Sequence, residues 1–201
     1  LVDIDGVMAR VRSEGPADAP VIVMVHGFSY SLESWDAWAE DLGADYRVIR
    51  LDLPGHGLTG PDPQQRYSVP QTVDFLGSLL DELGLDHVTL AGNSLGGLVS
   101  WRLAAERPDL VSRLVLVAPG AYSINGVTEE PVAVPMAVSF YLTSAPEAMV
   151  AAASAGLFGD VSRMDPALPG RVHALMNTPG VGQALVERLD LFTLPDPTAD
   201  L

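Results

Sequence analysis

The stretch that decides the fold is Val88-Thr89-Leu90-Ala91-Gly92-Asn93-Ser94-Leu95-Gly96-Gly97. A short β-branched, apolar run leads into Gly-x-Ser-x-Gly, and apolar residues at helical spacing follow it. This order predicts a strand, a very tight turn at Ser94 and then a helix. Glycines two residues before and after the serine remove the Cβ atoms that would collide in such a turn. The stretch therefore predicts a strained, exposed serine that is a candidate catalytic nucleophile.

Strand and helix patterns alternate on both sides of this turn. The run Val21–Val25 is continuously apolar, which is typical of a strand buried on both faces of a parallel sheet. Further strands are predicted over Val7–Val11, Arg47–Leu53, His87–Ala91 and Leu114–Val117. Amphipathic helices are predicted over Leu32–Leu42, Val73–Leu83 and Leu95–Glu106. Alternation with short connections predicts an α/β fold with a doubly wound, mostly parallel sheet.

The character of the sequence changes near Gly120, where strand patterns give way to Pro, Ala and Met. We expect residues 1–119 to form the sheet-containing core and residues 120–201 to form a helical lid. The lid contains predicted helices over Glu147–Phe158 and Gly182–Phe192 and ends in a linker-like segment near Leu194. Its Met and aromatic residues either line an adaptable apolar pocket or pack as an ordinary helical subdomain.

Composition removes several classes of chemistry. All 11 basic residues are arginine, so a Walker-A loop, a Schiff-base lysine and a Ser–Lys dyad are excluded. The chain has no cysteine, so it has no disulfide, thiolate nucleophile or cysteine metal site. The four histidines stand singly, without metal-ligand spacing. We expect no metal and no cofactor.

Charge and hydropathy bear on partners and location. A net charge of −15 disfavours nucleic acid and anionic membranes as partners, and the simplest meaning of that charge is solubility. We expect a small apolar molecule as the partner. We also expect a cytoplasmic protein, because no signal peptide opens the sequence and no run is long enough to span a bilayer. The chain begins with Leu1 rather than Met, so the sequence leaves open where the natural protein starts.

Two backbone amides are candidate donors to a developing oxyanion. The helix after Ser94 presents the amide of Leu95 together with its partial positive charge. The segment His26-Gly27-Phe28 follows the Val21–Val25 strand, and a loop there can turn the Phe28 amide toward the serine. We interpret His26 as structural, because it precedes the serine at a buried strand end.

A second glycine pattern matches a cofactor-binding motif but lacks the context that this motif requires. The segment Gly55-His56-Gly57-Leu58-Thr59-Gly60 fits a dinucleotide-binding fingerprint and follows a strand. However, Pro61 and Pro63 follow it, so no helix N-terminus opens there to hold a pyrophosphate. We interpret this segment as a tight turn between core elements.

A serine nucleophile needs a base and an orienting carboxylate. Only His173 follows Ser94 in the order that this turn requires, and Asp109, Asp160 and Asp165 lie between them. Asp165 and His173 satisfy that order, but both lie in the predicted lid rather than at the end of a core strand. We therefore expect no complete triad within these 201 residues.

The three motifs together resemble the α/β-hydrolase superfamily. The oxyanion segment His26-Gly27-Phe28, the loop Asp52-Leu53-Pro54-Gly55-His56-Gly57 and the nucleophile turn around Ser94 occur in that family's order and near its spacing. The resemblance implies a serine hydrolase that cleaves an ester or related carbonyl compound through an acyl-serine. It also implies that two further strands, carrying the acid and the histidine, follow the lid beyond Leu201. This chain alone would then be a weak catalyst with an exposed apolar sheet edge.

Other functions of the same fold stay open. They are C–C bond hydrolysis, acyl transfer, cofactor-free haloperoxidation, a lyase reaction, and non-catalytic ligand binding. Asn93 beside the serine is similar to many C–C hydrolases and small esterases. A serine at the turn disfavours haloalkane dehalogenases and epoxide hydrolases, which use a carboxylate.

Overall fold

The computed structural model describes residues 1–122 and 126–200. In that part of the chain the strands are β1 (Val2–Ile4), β2 (Val7–Ala9), β3 (Val11–Glu14), β4 (Val21–Val25), β5 (Arg47–Leu51), β6 (Val88–Asn93) and β7 (Val111–Val117). The α-helices are α1 (Asp36–Leu42), α2 (Val69–Glu82), α3 (Leu95–Glu106), α4 (Met136–Ser144), α5 (Glu147–Ala155), α6 (Leu168–Met176) and α7 (Val181–Asp190). Residues 123–125 and 201 of the predicted lid lie outside the described residues.

The central sheet has the strand order β3-β5-β4-β6-β7. Only the β3–β5 pair is antiparallel; β4 pairs in parallel with β5 and with β6, and β6 with β7. Strands β1 and β2 form a separate antiparallel hairpin. The predicted α/β fold with a mostly parallel sheet is confirmed. Because Val25 pairs with Gly92, the loops that follow β4 and β6 leave the sheet side by side.

Helices cover both faces of this sheet. Alternate residues of a strand point to opposite faces, so Val23 and Val25 pack in one cluster with α2 and α3, while Ile22 and Met24 pack on the other side with Trp35. Burying each such side chain contributes about 1.5–3 kcal/mol. The double covering explains why β4 is continuously apolar rather than alternating.

The four helices after residue 135 form their own apolar cluster. Its buried members include Leu142, Val150, Val172 and Leu185, and Phe28 packs against it from the sheet side. Helices α4 and α6 are absent from the sequence-based prediction. Helix α4 has no charged face to reveal its period, and α6 opens with Pro169-Gly170, which suggests a break although Pro is well tolerated in a first helical turn.

The segment predicted to be linker-like is anchored to the core. Leu194 is buried in the apolar cluster that also contains Val23 and Val25, and its backbone N–H donates to the carbonyl of Thr128 at 2.7 Å. None of the described helices is both long and apolar enough to cross a bilayer.

Candidate active site

Ser94 stands at the junction of β6 and α3 in a strained conformation. Its φ of 50° and ψ of −115° lie in a region that non-glycine residues rarely occupy, and the residue is exposed. The backbone around it is fixed by hydrogen bonds. The Ser94 N–H donates to the Val117 carbonyl at 3.2 Å, and the Ser94 carbonyl accepts from Leu98 at 3.0 Å and from Gly120 at 2.8 Å. These bonds hold the serine in the tight turn that the sequence predicts.

The glycines of this turn are required by close contacts. A Cβ on Gly92 would lie 2.4 Å from the carbonyl oxygen of Gly96, and a Cβ on Gly96 would lie 2.3 Å from that of Val25. A Cβ on Gly97 would lie 2.7 Å from the Cβ of Pro119. A larger residue therefore does not fit at any of these three positions. Helix α3 can begin directly after the serine only because the glycines have no Cβ atoms.

Two backbone amides lie beside the serine. Gly27 approaches so closely that a Cβ there would be 3.3 Å from the Ser94 Cβ, which places the loop that contains Phe28 against the turn. Leu95 is the first residue of α3, where a backbone N–H has no partner within the helix. Among the described residues, neither the Phe28 nor the Leu95 N–H donates a hydrogen bond. The structure thus brings Ser94, Phe28 and Leu95 together with two donors unused.

His26 is fully buried, and both of its ring nitrogens are engaged. Its Nδ1 donates to the Gly27 carbonyl at 2.7 Å, because a carbonyl can only accept, and its Nε2 accepts from the Leu53 N–H at 3.0 Å. This pattern requires the neutral ring, and burial lowers the pKa of His26. His26 therefore holds two loops together and has no free nitrogen for the serine proton.

The candidate pair Asp165 and His173 is not assembled. Asp165 pairs with Arg171 at 2.8 Å, and the Nδ1 of His173 hydrogen-bonds the Ala145 carbonyl at 2.9 Å. Among the described residues, no histidine or carboxylate hydrogen-bonds the Ser94 hydroxyl. Ser94 and the two unused backbone amides therefore lie together without a base at the serine hydroxyl.

The glycine-rich segment Gly55–Gly60 packs against the buried carboxylate of Asp52. That side chain accepts from the backbone N–H of Leu32 at 2.7 Å and of Leu58 at 2.9 Å, and it contacts Arg10 at 3.2 Å. A Cβ on Gly57 would lie 2.3 Å from the carboxylate. Within the segment, the Gly55 N–H donates to the Gly60 carbonyl at 2.7 Å and the Gly60 N–H to the His56 carbonyl at 3.1 Å. These amides are used internally, as that of Leu58 is, and the segment is a structural turn.

A buried arginine that sequence reasoning missed ties helix α7 to the core. Arg188 donates to the carbonyls of Pro54 at 2.8 Å and Tyr67 at 3.1 Å and to the Thr72 hydroxyl at 2.7 Å. It forms no ion pair within the described part of the chain, and burial lowers its pKa to about 10, so it stays charged near neutrality. An arginine on an amphipathic helix gives no sequence signal that it points inward.

A cavity of about 600 Å³ opens over Ser94, between the sheet edge and the helices after residue 135. Gly27, Phe28, Asn93 and Ser94 line it on the sheet side. On the helical side it is lined by Val138, Tyr141, Leu142, Leu157 and Val172. No charged side chain lines it within the described residues. The volume suits a small molecule.

No metal site is visible in the described part of the chain, where no three His, Asp or Glu side chains converge. The histidines nearest the turn, His26 and His56, are buried and engaged with backbone carbonyls.

Comparison with known proteins gives consistent matches. A family model for the alpha/beta hydrolase fold matches residues 20–198. A protein of Bacillus subtilis (strain 168) named putative 2-succinyl-6-hydroxy-2,4-cyclohexadiene-1-carboxylate synthase is 35% identical over 150 residues, 73% of this chain and 54% of that protein. Epoxide hydrolase 2 of Caenorhabditis elegans is 33% identical over 117 residues, 58% of this chain and 33% of that protein.

Among solved structures, that of Cfl2 wild-type from Burkholderia cenocepacia matches with a TM-score of 0.80 at 22% identity, covering 92% of this chain and 68% of that one. This likeness concerns the fold. The chain spans between about a third and about half of the length of the two curated relatives described above.

Proposed function

The chain belongs to the alpha/beta hydrolase fold family, and from this premise we propose that it carries the nucleophile and the oxyanion-binding part of a serine hydrolase. The proposed substrate is a small, mainly apolar ester or related carbonyl compound. One observation carries the proposal: Ser94 is held exposed at φ 50°, on the floor of a cavity and beside two unused backbone amides.

The chemistry follows from that arrangement. The Ser94 Oγ attacks the substrate carbonyl carbon while its proton passes to a base. The carbonyl oxygen becomes an oxyanion, which the N–H groups of Phe28 and Leu95 stabilise together with the N-terminal dipole of α3. Collapse of this intermediate releases the alcohol, protonated by the same base, and leaves an acyl-serine. Water then attacks the ester carbon and gives a proton to the base. The bond to Ser94 breaks, the acid product is released, and the base returns the proton to the Ser94 oxygen.

The base and its orienting carboxylate are proposed to lie in further sequence of the complete protein. This rests on the lack of any such group at the Ser94 hydroxyl among the described residues, and on the greater length of the relatives. The 201-residue chain alone is then a weak catalyst, because oxyanion binding without a triad leaves only about 10³–10⁴-fold over water in serine proteases.

A fluorophosphonate tests the nucleophile. In the complete protein, we expect the reagent to label Ser94, Ser94→Ala to abolish labelling, and the exposed edge-strand variant Ser13→Ala to label like the wild type. The isolated 201-residue chain should react slower by a factor of about 10³ or more. Labelling sites and rates are read by intact-mass and peptide mass spectrometry. Undiminished labelling of Ser94→Ala would refute the assignment.

The similarity to the Bacillus subtilis synthase favours a second candidate, in which the same serine acts in a C–C bond-breaking or bond-forming reaction. That relative is named for a carboxylate-bearing product, whereas no cation lines this cavity among the described residues. An ester hydrolase therefore accounts better for the lining. Ester turnover that is lost in Ser94→Ala separates both enzymes from a non-catalytic binding protein.

A further inference from the structure

A hydroxyl in the lid lacks the partner that its neighbours have. Ser154 on α5 is 2% exposed and lines the cavity, and among the described residues its Oγ makes no hydrogen bond. On the preceding helix, Thr143 donates back to the Ser139 carbonyl at 2.8 Å and Ser144 to that of Phe140 at 2.5 Å. The Ser154 Oγ is not among the described buried polar atoms that lack a partner, so this oxygen is accessible although the residue as a whole is buried. Since Ser154 lines the cavity, its free hydroxyl is available to a molecule there.

Two tyrosines contribute to the same wall. Tyr30 lies in the same loop as Phe28, Tyr141 lies on α4, and both line the cavity. Both also pack against the apolar cluster of helices α4 to α7, and burial raises the pKa of Tyr141. Neither hydroxyl has a hydrogen-bond partner in the part of the chain that the structure describes. The hydroxyls of Tyr30, Tyr141 and Ser154 thus line the cavity from three different segments, beside Ser29 and Ser94.

The charge of the cavity limits what these hydroxyls bind. No arginine or histidine lines it among the described residues, and the chain as a whole carries −15. A carboxylate taken from water into this site would lose hydration without meeting a cation. A ketone or hydroxyl oxygen meets the hydroxyls at a much smaller cost of desolvation.

We propose that Tyr30, Tyr141 and Ser154 form a subsite that binds an uncharged oxygen, ketone or hydroxyl, on the acyl part of an otherwise apolar substrate. This rests on the proposed function, since Ser94 must hold the scissile carbonyl in the same cavity. The three residues determine specificity and take no part in bond making.

Matched esters test this subsite in the complete protein. The substrates are p-nitrophenyl hexanoate, its 4-oxo and 5-oxo analogues, and the mono-p-nitrophenyl ester of adipic acid, which ends in a carboxylate. We expect kcat/KM for the better keto ester to exceed that of the hexanoate about tenfold, and the adipate ester to be the poorest substrate by a wide margin.

Variants then separate binding from packing. We expect Ser154→Ala and Tyr141→Phe to bring the keto-to-plain ratio of kcat/KM close to one, whereas Ser144→Ala, which removes an exposed hydroxyl bonded to its own helix, keeps the wild-type ratio. A merely structural role would lower both rates and leave the ratio unchanged.

The other results of these measurements would overturn either the subsite alone or the proposed function as well. Equal rates for keto and plain esters in the wild type, an unchanged ratio in Ser154→Ala, or a preference for the adipate ester would overturn the subsite while the serine hydrolase stands. Turnover that persists in Ser94→Ala, or no turnover of any ester, would overturn the proposed function and the subsite with it.

Discussion

At the scale of single residues, the candidate site depends on a serine in a conformation that serine disfavours. A non-glycine residue at φ 50°, ψ −115° costs about 1–3 kcal/mol. Three hydrogen bonds to its own backbone groups and the close approach of Val25 and Gly96 hold it there. The strain is local, and the surrounding sheet and helix determine it completely.

Replacing Gly96 with alanine tests how tightly this turn is packed. The added methyl would lie 2.3 Å from the Val25 carbonyl oxygen and 2.5 Å from that of His26, so β4 and α3 must move apart. We expect Gly96→Ala to lower the free energy of unfolding by about 2–4 kcal/mol in urea denaturation, and to slow labelling of Ser94 in the folded protein.

The matched control is Gly170→Ala, in the first turn of α6. Nothing lies within 4 Å of a Cβ built there, and its φ is not positive. We expect a gain of about 0.5–1 kcal/mol from helix propensity. Equal effects of the two substitutions would mean that the turn relaxes easily and that its glycines are not required.

At the scale of elements, helix α7 shows how the C-terminal helices are attached to the sheet-containing part. Its apolar side packs in the cluster of helices α4 to α7, while Arg188 reaches the opposite way, to the Pro54 carbonyl. The guanidinium lies 5.5 Å from the centre of the Tyr67 ring and donates three hydrogen bonds to loop and α2 atoms. Since no carboxylate pairs with it in the described residues, carbonyl dipoles and the ring face are what stabilise its charge.

Arg188→Met keeps most of the side-chain volume and removes the donors. The carbonyls of Pro54 and Tyr67 then lose their partners in a buried site. We expect the free energy of unfolding to fall by about 2–4 kcal/mol, measured by urea denaturation. The exposed Arg163→Met should change it by less than about 0.5 kcal/mol. A neutral or stabilised Arg188→Met would show that dehydrating the guanidinium costs as much as its contacts return.

At the scale of the whole molecule, the sheet has one antiparallel edge and one open parallel edge. Strand β7 pairs only with β6 among the described residues, and Val115 and Val117 are exposed on it. An exposed apolar edge strand presents unpaired N–H and C=O groups that pair readily with another chain. The net charge of −15 opposes such association at low ionic strength, and salt screens that repulsion.

A lysine on this edge should reduce self-association of the 201-residue chain. We expect Val115→Lys to lower light scattering at high protein concentration and moderate salt, because a charge on an edge strand opposes strand pairing. Val132→Lys places the same charge on an exposed loop residue away from the edge. If both variants reduce scattering equally, the change in net charge is responsible and the edge is not the site of association.

The sequence by itself determined the fold class, the three motifs and the position of the turn. Local rules suffice for these features: strand β4 and helix α3 are observed at the predicted residues, and the glycines around Ser94 supply the space that the predicted tight turn needs. The boundaries of β5 and β7 differ by two or three residues from those predicted, because the ends of strands depend on their neighbours in the sheet.

Only the tertiary structure decided which groups meet. That Gly27 lies against Ser94, that Arg188 points inward and that Tyr30, Tyr141 and Ser154 line one cavity all depend on contacts between segments distant in the chain. Helices α4 and α6 also needed it, since α4 has no charged face and α6 opens with Pro169-Gly170. The physical reason is that local propensity fixes backbone conformation over a few residues, whereas the direction of a side chain and its neighbours follow from the packing of whole elements.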